Sequence, residues 1–239
     1  MKEWIAGVDG CKGGWAVAYA PADDLPASEI KLFKTFEEIL NRQPQFALIF
    51  IDIPIGLEQD KDRDCDKLAR EKLHSRGSCV FPAPLRPALR AWEYDAYEEA
   101  KRLTRELGRG LNKQSHALFK KIQEVDQWMT PKLQDQVIET HPEIIFTVMN
   151  GTQALDNNKK TDLGRKERLD LLSPHFHGIK EKLQSRPKGI GRDDFLDAYA
   201  CLLAAHQYRR GNFHRLPESP SRDAKGLKME MVFPKFSKK

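Results

Sequence analysis

A chain of 239 residues with 40% hydrophobic and 31% charged side chains has the apolar material for a packed core. It lacks the low hydrophobicity and extreme charge of a disordered protein. No apolar run approaches the roughly 18 residues of a membrane helix, and no export-signal pattern is visible at the start, so a soluble cytoplasmic protein with no membrane partner is expected. The net charge of +5 is unevenly spread: residues 150–239 carry 19 basic and 11 acidic side chains, net +8. That surplus suits a polyanionic partner, and equally a solvated basic surface.

The first elements alternate between strand and helix signals. Residues 4–9 read as a buried strand ending in Asp9, and 15–20 as its hairpin partner across the glycine-rich turn Gly10-Cys11-Lys12-Gly13-Gly14. Residues 29–35 predict a third strand and 36–42 a short amphipathic helix. Residues 46–53 are almost wholly apolar, as a central parallel strand covered on both faces would be; Asp52 interrupts the run and Pro54 stops it. Three strands, a helix and a buried fourth strand is the opening order of a ribonuclease-H-like fold. The expected class is therefore α/β, a mixed five-stranded sheet flanked by helices.

Residues 57–130 interrupt that order. They are charged, with helical stretches near 62–75, 88–107 and 113–129 around the proline-rich Phe81–Pro87, and read as a helical insertion between strands 4 and 5. A short fifth strand is expected at 135–140, with Pro142 in the first turn of a helix over 142–149. Helices follow near 165–173 and 176–185. The strongest helical signal lies at 193–209, where Phe195, Leu196, Tyr199, Leu202, Leu203 and His206 recur at three- and four-residue spacing. Residues 211–239 read as an extended tail, with an edge strand suggested by Leu227, Met229 and Met231. The whole is expected to be one domain over 1–239. Cys11, Cys65, Cys79 and Cys201 form no C-x-x-C pair or zinc spacing and read as reduced thiols, Cys201 in the core.

Carboxylates recur at the ends of buried elements. Asp9 ends strand 1, Asp52 ends strand 4 and Glu139 lies near the end of strand 5. Asp194 and Asp197, three apart, share a face of the last helix. Acids are costly to bury unless something neutralises them. A pair of divalent cations would do so, and carboxylate oxygens suit Mg²⁺ or Mn²⁺. Each acid also has a plainer role open to it. Asp9 can be a turn former, Asp193 and Asp194 can cap the helix, and Glu139 can pair with a lysine. Asp52, inside an apolar run, and Asp197, inside a helix, fit those plainer roles least. His141 and His175-x-His177 read as structural and surface groups.

Several motifs together resemble one family. They are Gly-Val-Asp9-Gly-Cys-Lys-Gly-Gly-Trp, Ile-Asp52-Ile-Pro-Ile-Gly-Leu, Cys65-Asp66-Lys-Leu-Ala-Arg70, Val80-Phe-Pro-Ala-Pro, Lys113-Gln114, Lys121-Ile-Gln-Glu-Val-Asp126, Glu139-Thr-His-Pro-Glu143 and Asp193-Asp194-Phe-Leu-Asp197-Ala. The combination, spread over roughly residues 4–210, resembles the family catalogued as domain of unknown function 429. The resemblance implies a ribonuclease-H-like fold and a predicted nuclease. It also implies basic positions at Lys113, Lys121 and Arg168, and an arginine after Val-Phe-Pro-Ala-Pro, here Arg86.

The leading expectation is a metal-dependent nuclease acting on DNA or RNA. Asp9, Asp52 and Asp197 would hold Mg²⁺ or Mn²⁺, assisted by Glu139 and Asp194. Lys12, Arg86, Lys113, Lys121 and Arg168 would contact phosphates, which positions a nucleic acid without reading its sequence. Trp92 or Phe81 could stack on a base, although packing explains either as well. Two other classes remain open. In an actin- or sugar-kinase-like phosphotransferase, Gly10, Gly13 and Gly14 would form a phosphate hairpin and Gly189-Ile-Gly191 a second loop. In a non-catalytic nucleic-acid-binding module the acids would be vestigial. The three metal-site acids are expected to lie within roughly 4–6 Å of one another. Residues 57–130 are expected as a cap presenting Arg86, Lys113 and Lys121 to them.

Overall fold

A computed structural model describes residues 2–91, 98, 101, 102, 105 and 113–236. The chain divides into two compact units: Met1–Ile53 with Asp135–Arg215 and Met231–Lys239, and Pro54–Gln134 with Leu216–Glu230. The segment read as an insertion thus forms its own unit, joined by part of the tail.

The first unit is built on strands β1 (Trp4–Cys11), β2 (Gly14–Pro21), β3 (Glu29–Phe33), β4 (Phe46–Ile51) and β5 (Val137–Glu139). They form one sheet in the order β3-β2-β1-β4-β5. β1, β2 and β3 pair antiparallel, while β4 and β5 run parallel to β1. This mixed sheet is consistent with a ribonuclease-H-like fold. Helix α1 (Phe36–Leu40) precedes β4; Thr35 caps it, its hydroxyl accepting from the Glu38 N–H at 3.2 Å.

The second unit contains α2 (Asp64–Leu73), α3 (Arg86–Ala91) and α4 (Lys113–Trp128). Most of the helix expected near 88–107 lies outside the described residues, as does Trp92. After β5 come α5 (Pro142–Met149), α6 (Asp162–Leu172), α7 (Ile179–Gln184) and α8 (Arg192–Arg209). Pro142 does sit in the first turn of α5. The tail strand is β7 (Met231–Pro234), later than expected. It pairs with β6 (Phe213–Leu216) in a separate two-stranded sheet and does not edge the main one.

Helix α8 is the centre of the first unit. The spacing of its large apolar residues suggested one buried stripe. In the structure every residue from Phe195 to Ala205 is buried, because alanines and Cys201 fill the remaining positions and let the helix be covered all round. It lies against β1 so closely that a Cβ at Gly7 would stand 2.0 Å from the Leu202 backbone nitrogen and 2.3 Å from the Ala198 carbonyl oxygen. Backbone cannot yield as a flexible side chain can, so Gly7→Ala must lift the helix off the sheet. A loss of about 3 kcal/mol is expected, the upper end of overpacking costs. It should appear as a lower urea midpoint with unchanged slope; an unchanged midpoint would show that the helix does not bear on β1 there.

Candidate active site

Strand alternation fixes which acids meet. Residues 5, 7 and 9 of β1 share one face, and Gly7 shows that this face receives α8. In the parallel register Gly7 lies beside Phe50 and Val8 beside Ile51. Phe50 points to the same helix, its ring 5.4 Å from that of Tyr208. The ladder continues one step, with Asp52 N–H donating to the Val8 carbonyl at 3.0 Å. Asp9 and Asp52 therefore leave adjacent strand ends on the α8 face. That helix brings Asp197 from its second turn, buried, and Asp194 from its first.

Their charges act on one another, with Asp9 feeling the other three. Burial holds the Asp9 carboxyl well above the ordinary aspartate range. Asp197, Asp52 and Asp194 push it further the same way, against the pull of Lys159. Asp52 is also raised by burial; His141 and Lys159 draw it down and Asp197 pushes it up. Asp194 is raised by burial despite accepting the Gly191 N–H at 2.9 Å, with Asp193 and Asp197 adding repulsion. That hydrogen bond gives Asp194 the helix-capping role that its position allowed. Among the described residues, Asp9, Asp52 and Asp197 do not bring three ligand atoms within 4.8 Å of one another.

A cation pairs with the cluster. Lys159 places its Nζ 2.7 Å from Asp197 Oδ2. Asp197, Asp9 and Asp52 together hold the ammonium charged far above the usual lysine range, more than offsetting its partial burial. Sequence reading missed this residue. It stands in the polar stretch Asp156-Asn-Asn-Lys-Lys160, outside any periodic element, with no local pattern to separate it from a solvated loop lysine.

Buried polar contacts hold the loop that carries Lys159. A Cβ on Gly164 would stand 2.1 Å from the Asn158 carbonyl oxygen, so the loop can lie on the first turn of α6 only because residue 164 is glycine. Thr161 caps that helix, its hydroxyl accepting from the Gly164 N–H at 3.0 Å. Beneath it, Arg168 is wholly buried. One of its terminal nitrogens donates to both Glu143 carboxylate oxygens, at 3.0 and 2.7 Å. The other donates to the Gly164 carbonyl at 3.0 Å and the Asn157 carbonyl at 3.3 Å. Arg168 was expected to contact phosphate. Its guanidinium is instead an internal strut, out of reach of a ligand in solution.

The remaining expected residues divide differently. Glu139 pairs in register with Ile51, whose side chain alternates with those of Phe50 and Asp52. It is buried on the sheet face opposite the four aspartates, which corrects its assignment beside them. Lys12 is exposed in the turn between β1 and β2. In that turn the Gly13 N–H donates to the Gly189 carbonyl at 3.1 Å, so one donor that a phosphate hairpin would offer is already engaged. In the second unit, Arg86 is buried and forks onto Asp126, at 3.1 and 3.2 Å, and also onto Asp223. It pins the tail loop to α4 within that unit. Lys121 is partly buried on α4; the side chain of Lys113, at the start of that helix, lies outside the described residues. Phe81 is exposed. Cys201, beside the aspartates, is pushed well up by burial and by Asp52, Asp9 and Asp197, so it stays a protonated core thiol.

The first unit is thus an α/β protein of mixed sheet, consistent with a ribonuclease-H-like fold, with an aspartate cluster where β1, β4 and α8 converge. The chain belongs to the family described as "Protein of unknown function (DUF429)", whose model matches residues 7–222. No curated protein and no solved structure matches it. Among the described residues, no helix is long and apolar enough to cross a membrane.

Proposed function

We propose that the protein is a metal-dependent nuclease, hydrolysing phosphodiester bonds at the aspartate cluster. One observation carries this reading: Asp9, Asp52, Asp194 and Asp197 converge at the ends of two paired strands and one helix, raising the affinity of Asp9 and Asp52 for a positive charge. Repulsive carboxylates at strand ends destabilise a fold and persist where a ligand offsets them.

The donor set fits a hard divalent cation. Asp9, Asp52 and Asp197 offer only oxygen, as Mg²⁺ and Mn²⁺ prefer; Cys201 stays protonated and adds no soft ligand. A bound ion would supply an activated water and charge stabilisation on the leaving oxygen. The chain's own residues orient the carboxylates through the β1–β4 ladder and α8. Lys12, exposed in the β1–β2 turn three residues after Asp9, would contact a phosphate. Nucleic acid is the proposed partner class, in keeping with the basic surplus over residues 150–239.

Incubation with a panel of single- and double-stranded DNA and RNA tests the reading. Cleavage is expected with Mg²⁺ or Mn²⁺ and none with a chelator. Binding without cleavage under every metal condition would favour the non-catalytic module. Neither binding nor cleavage would refute a nucleic-acid function altogether.

A further inference from the structure

We propose that Lys159 is a built-in competitor for the metal position: its ammonium is the counter-cation of the metal-free cluster, and a divalent ion binds by displacing it from Asp197. The inference rests on the metal-site reading of the aspartates and adds to it a residue that opposes metal binding.

The contact itself places a positive charge where a metal ligand is needed. Lys159 Nζ is 2.7 Å from Asp197 Oδ2, and an oxygen so engaged has its accepting direction taken by a donor. Among the described residues the three acids do not bring three ligand atoms within 4.8 Å of one another, and the ammonium is bonded to one of them, Asp197. Four carboxylates facing one ammonium leave surplus negative charge, so the lysine relieves the repulsion without ending it.

The lysine is also built to move. Its backbone is fixed on both sides: the Asn158 carboxamide oxygen accepts from the Lys160 N–H at 3.0 Å, and the Asn158 carbonyl accepts from the Thr161 N–H at 2.9 Å. Its side chain, by contrast, is 41% exposed, while Asp197 is 3% exposed. Four rotatable methylenes and an open route to water let the ammonium leave by rotamer change, with the loop unmoved. Asp197, inside a buried helix, has no such freedom. Of the two partners, the lysine is the one that yields.

Competition for one position is a coupling between two cations, and such couplings run from about 5- to 150-fold in affinity. Removing the tethered cation should therefore tighten metal binding. The test is calorimetric titration of the full chain with Mn²⁺ alone, in the absence of nucleic acid, for wild type, K159Q, K159M and K159R. The expected result is Mn²⁺ binding by wild type, binding at least about tenfold tighter in K159Q and K159M, and near wild-type affinity in K159R. The two neutral variants differ in polarity, so one remains if the other fails to fold, and circular dichroism checks each. Wild-type binding with equal or weaker binding in the folded neutral variants would overturn the competition while leaving the metal site standing. No Mn²⁺ binding by wild type or by either neutral variant would overturn both. A K159R protein that binds as tightly as K159Q would also overturn it, because charge would then not be the cause.

Discussion

Asp9→Asn should abolish the proposed metal-dependent cleavage and make the metal-free protein more stable at neutral pH. The two effects have one origin. The Asp9 carboxyl is raised well above the ordinary range because burial and three neighbouring aspartates disfavour its charge. A carboxyl whose folded value lies above its unfolded value binds its proton more tightly in the folded state. Its contribution to stability is then fully present below the unfolded value near 3.8, and is lost as pH rises through the folded one. At pH 7 wild type carries that loss and the asparagine variant does not. Without divalent ions the variant's melting temperature should rise by at least about 2–4 °C, the shift that 1 kcal/mol gives a chain of this size. The gain should vanish near pH 4. Added Mg²⁺ should reverse the ranking, stabilising wild type by mass action and the variant less. Turnover should fall by at least about 10²–10³-fold, as when one group stabilising transition-state charge is removed. A variant melting below wild type at pH 7 without metal would show that Asp9 is a stabilising hydrogen-bond partner and not a frustrated ligand.

The fold and all four aspartates of that cluster were legible because both are written in local patterns. The apolar runs over 46–53 and 4–8 mark buried strands, and an aspartate within or at the end of such a run stands out against it. Asp197 stood out in the same way inside a helical repeat. Glu139 misled because position along a strand is visible in sequence while face is not. Only the pairing of Ile51 with Glu139, set by tertiary register, turns its side chain away. Arg168 misled for a related reason. A lysine or arginine in a basic segment reads as surface charge, and nothing local shows that Glu143, 25 residues earlier, and the Asn157 carbonyl enclose it. Lys159 was invisible because loop residues carry no period. The bridge of Arg86 to Asp223 spans 137 positions, a pairing that no local window contains.

Arg168→Met destabilises the first unit by about 3–5 kcal/mol, the cost of leaving one partner of a buried ion pair uncompensated. The pair is sealed, with side-chain exposures of 1% for Arg168 and 6% for Glu143, so solvent cannot take over the role of the guanidinium. Glu143→Met strands the arginine and should cost a comparable amount. The double variant Arg168→Met/Glu143→Met separates the charge from the scaffold. Replacing both members of a buried pair by apolar groups of similar size is often neutral or stabilising. Here the arginine also donates to the Asn157 and Gly164 carbonyls, each of which loses a buried partner at about 1–3 kcal/mol. Recovery in the double variant should therefore be partial. The residual loss belongs to the loop that carries Lys159, so hydrogen exchange should quicken at the Lys160 and Thr161 amides, both bonded to Asn158. The β1–β4 ladder should keep its protection. Arg168→Lys keeps the charge but not the fork, and should fall between wild type and Arg168→Met. Urea unfolding followed through Trp15, buried in the first unit, measures all four variants. Equal midpoints for wild type and Arg168→Met, or full recovery in the double variant with unchanged exchange at residues 160–161, would show that the strut does not hold the loop.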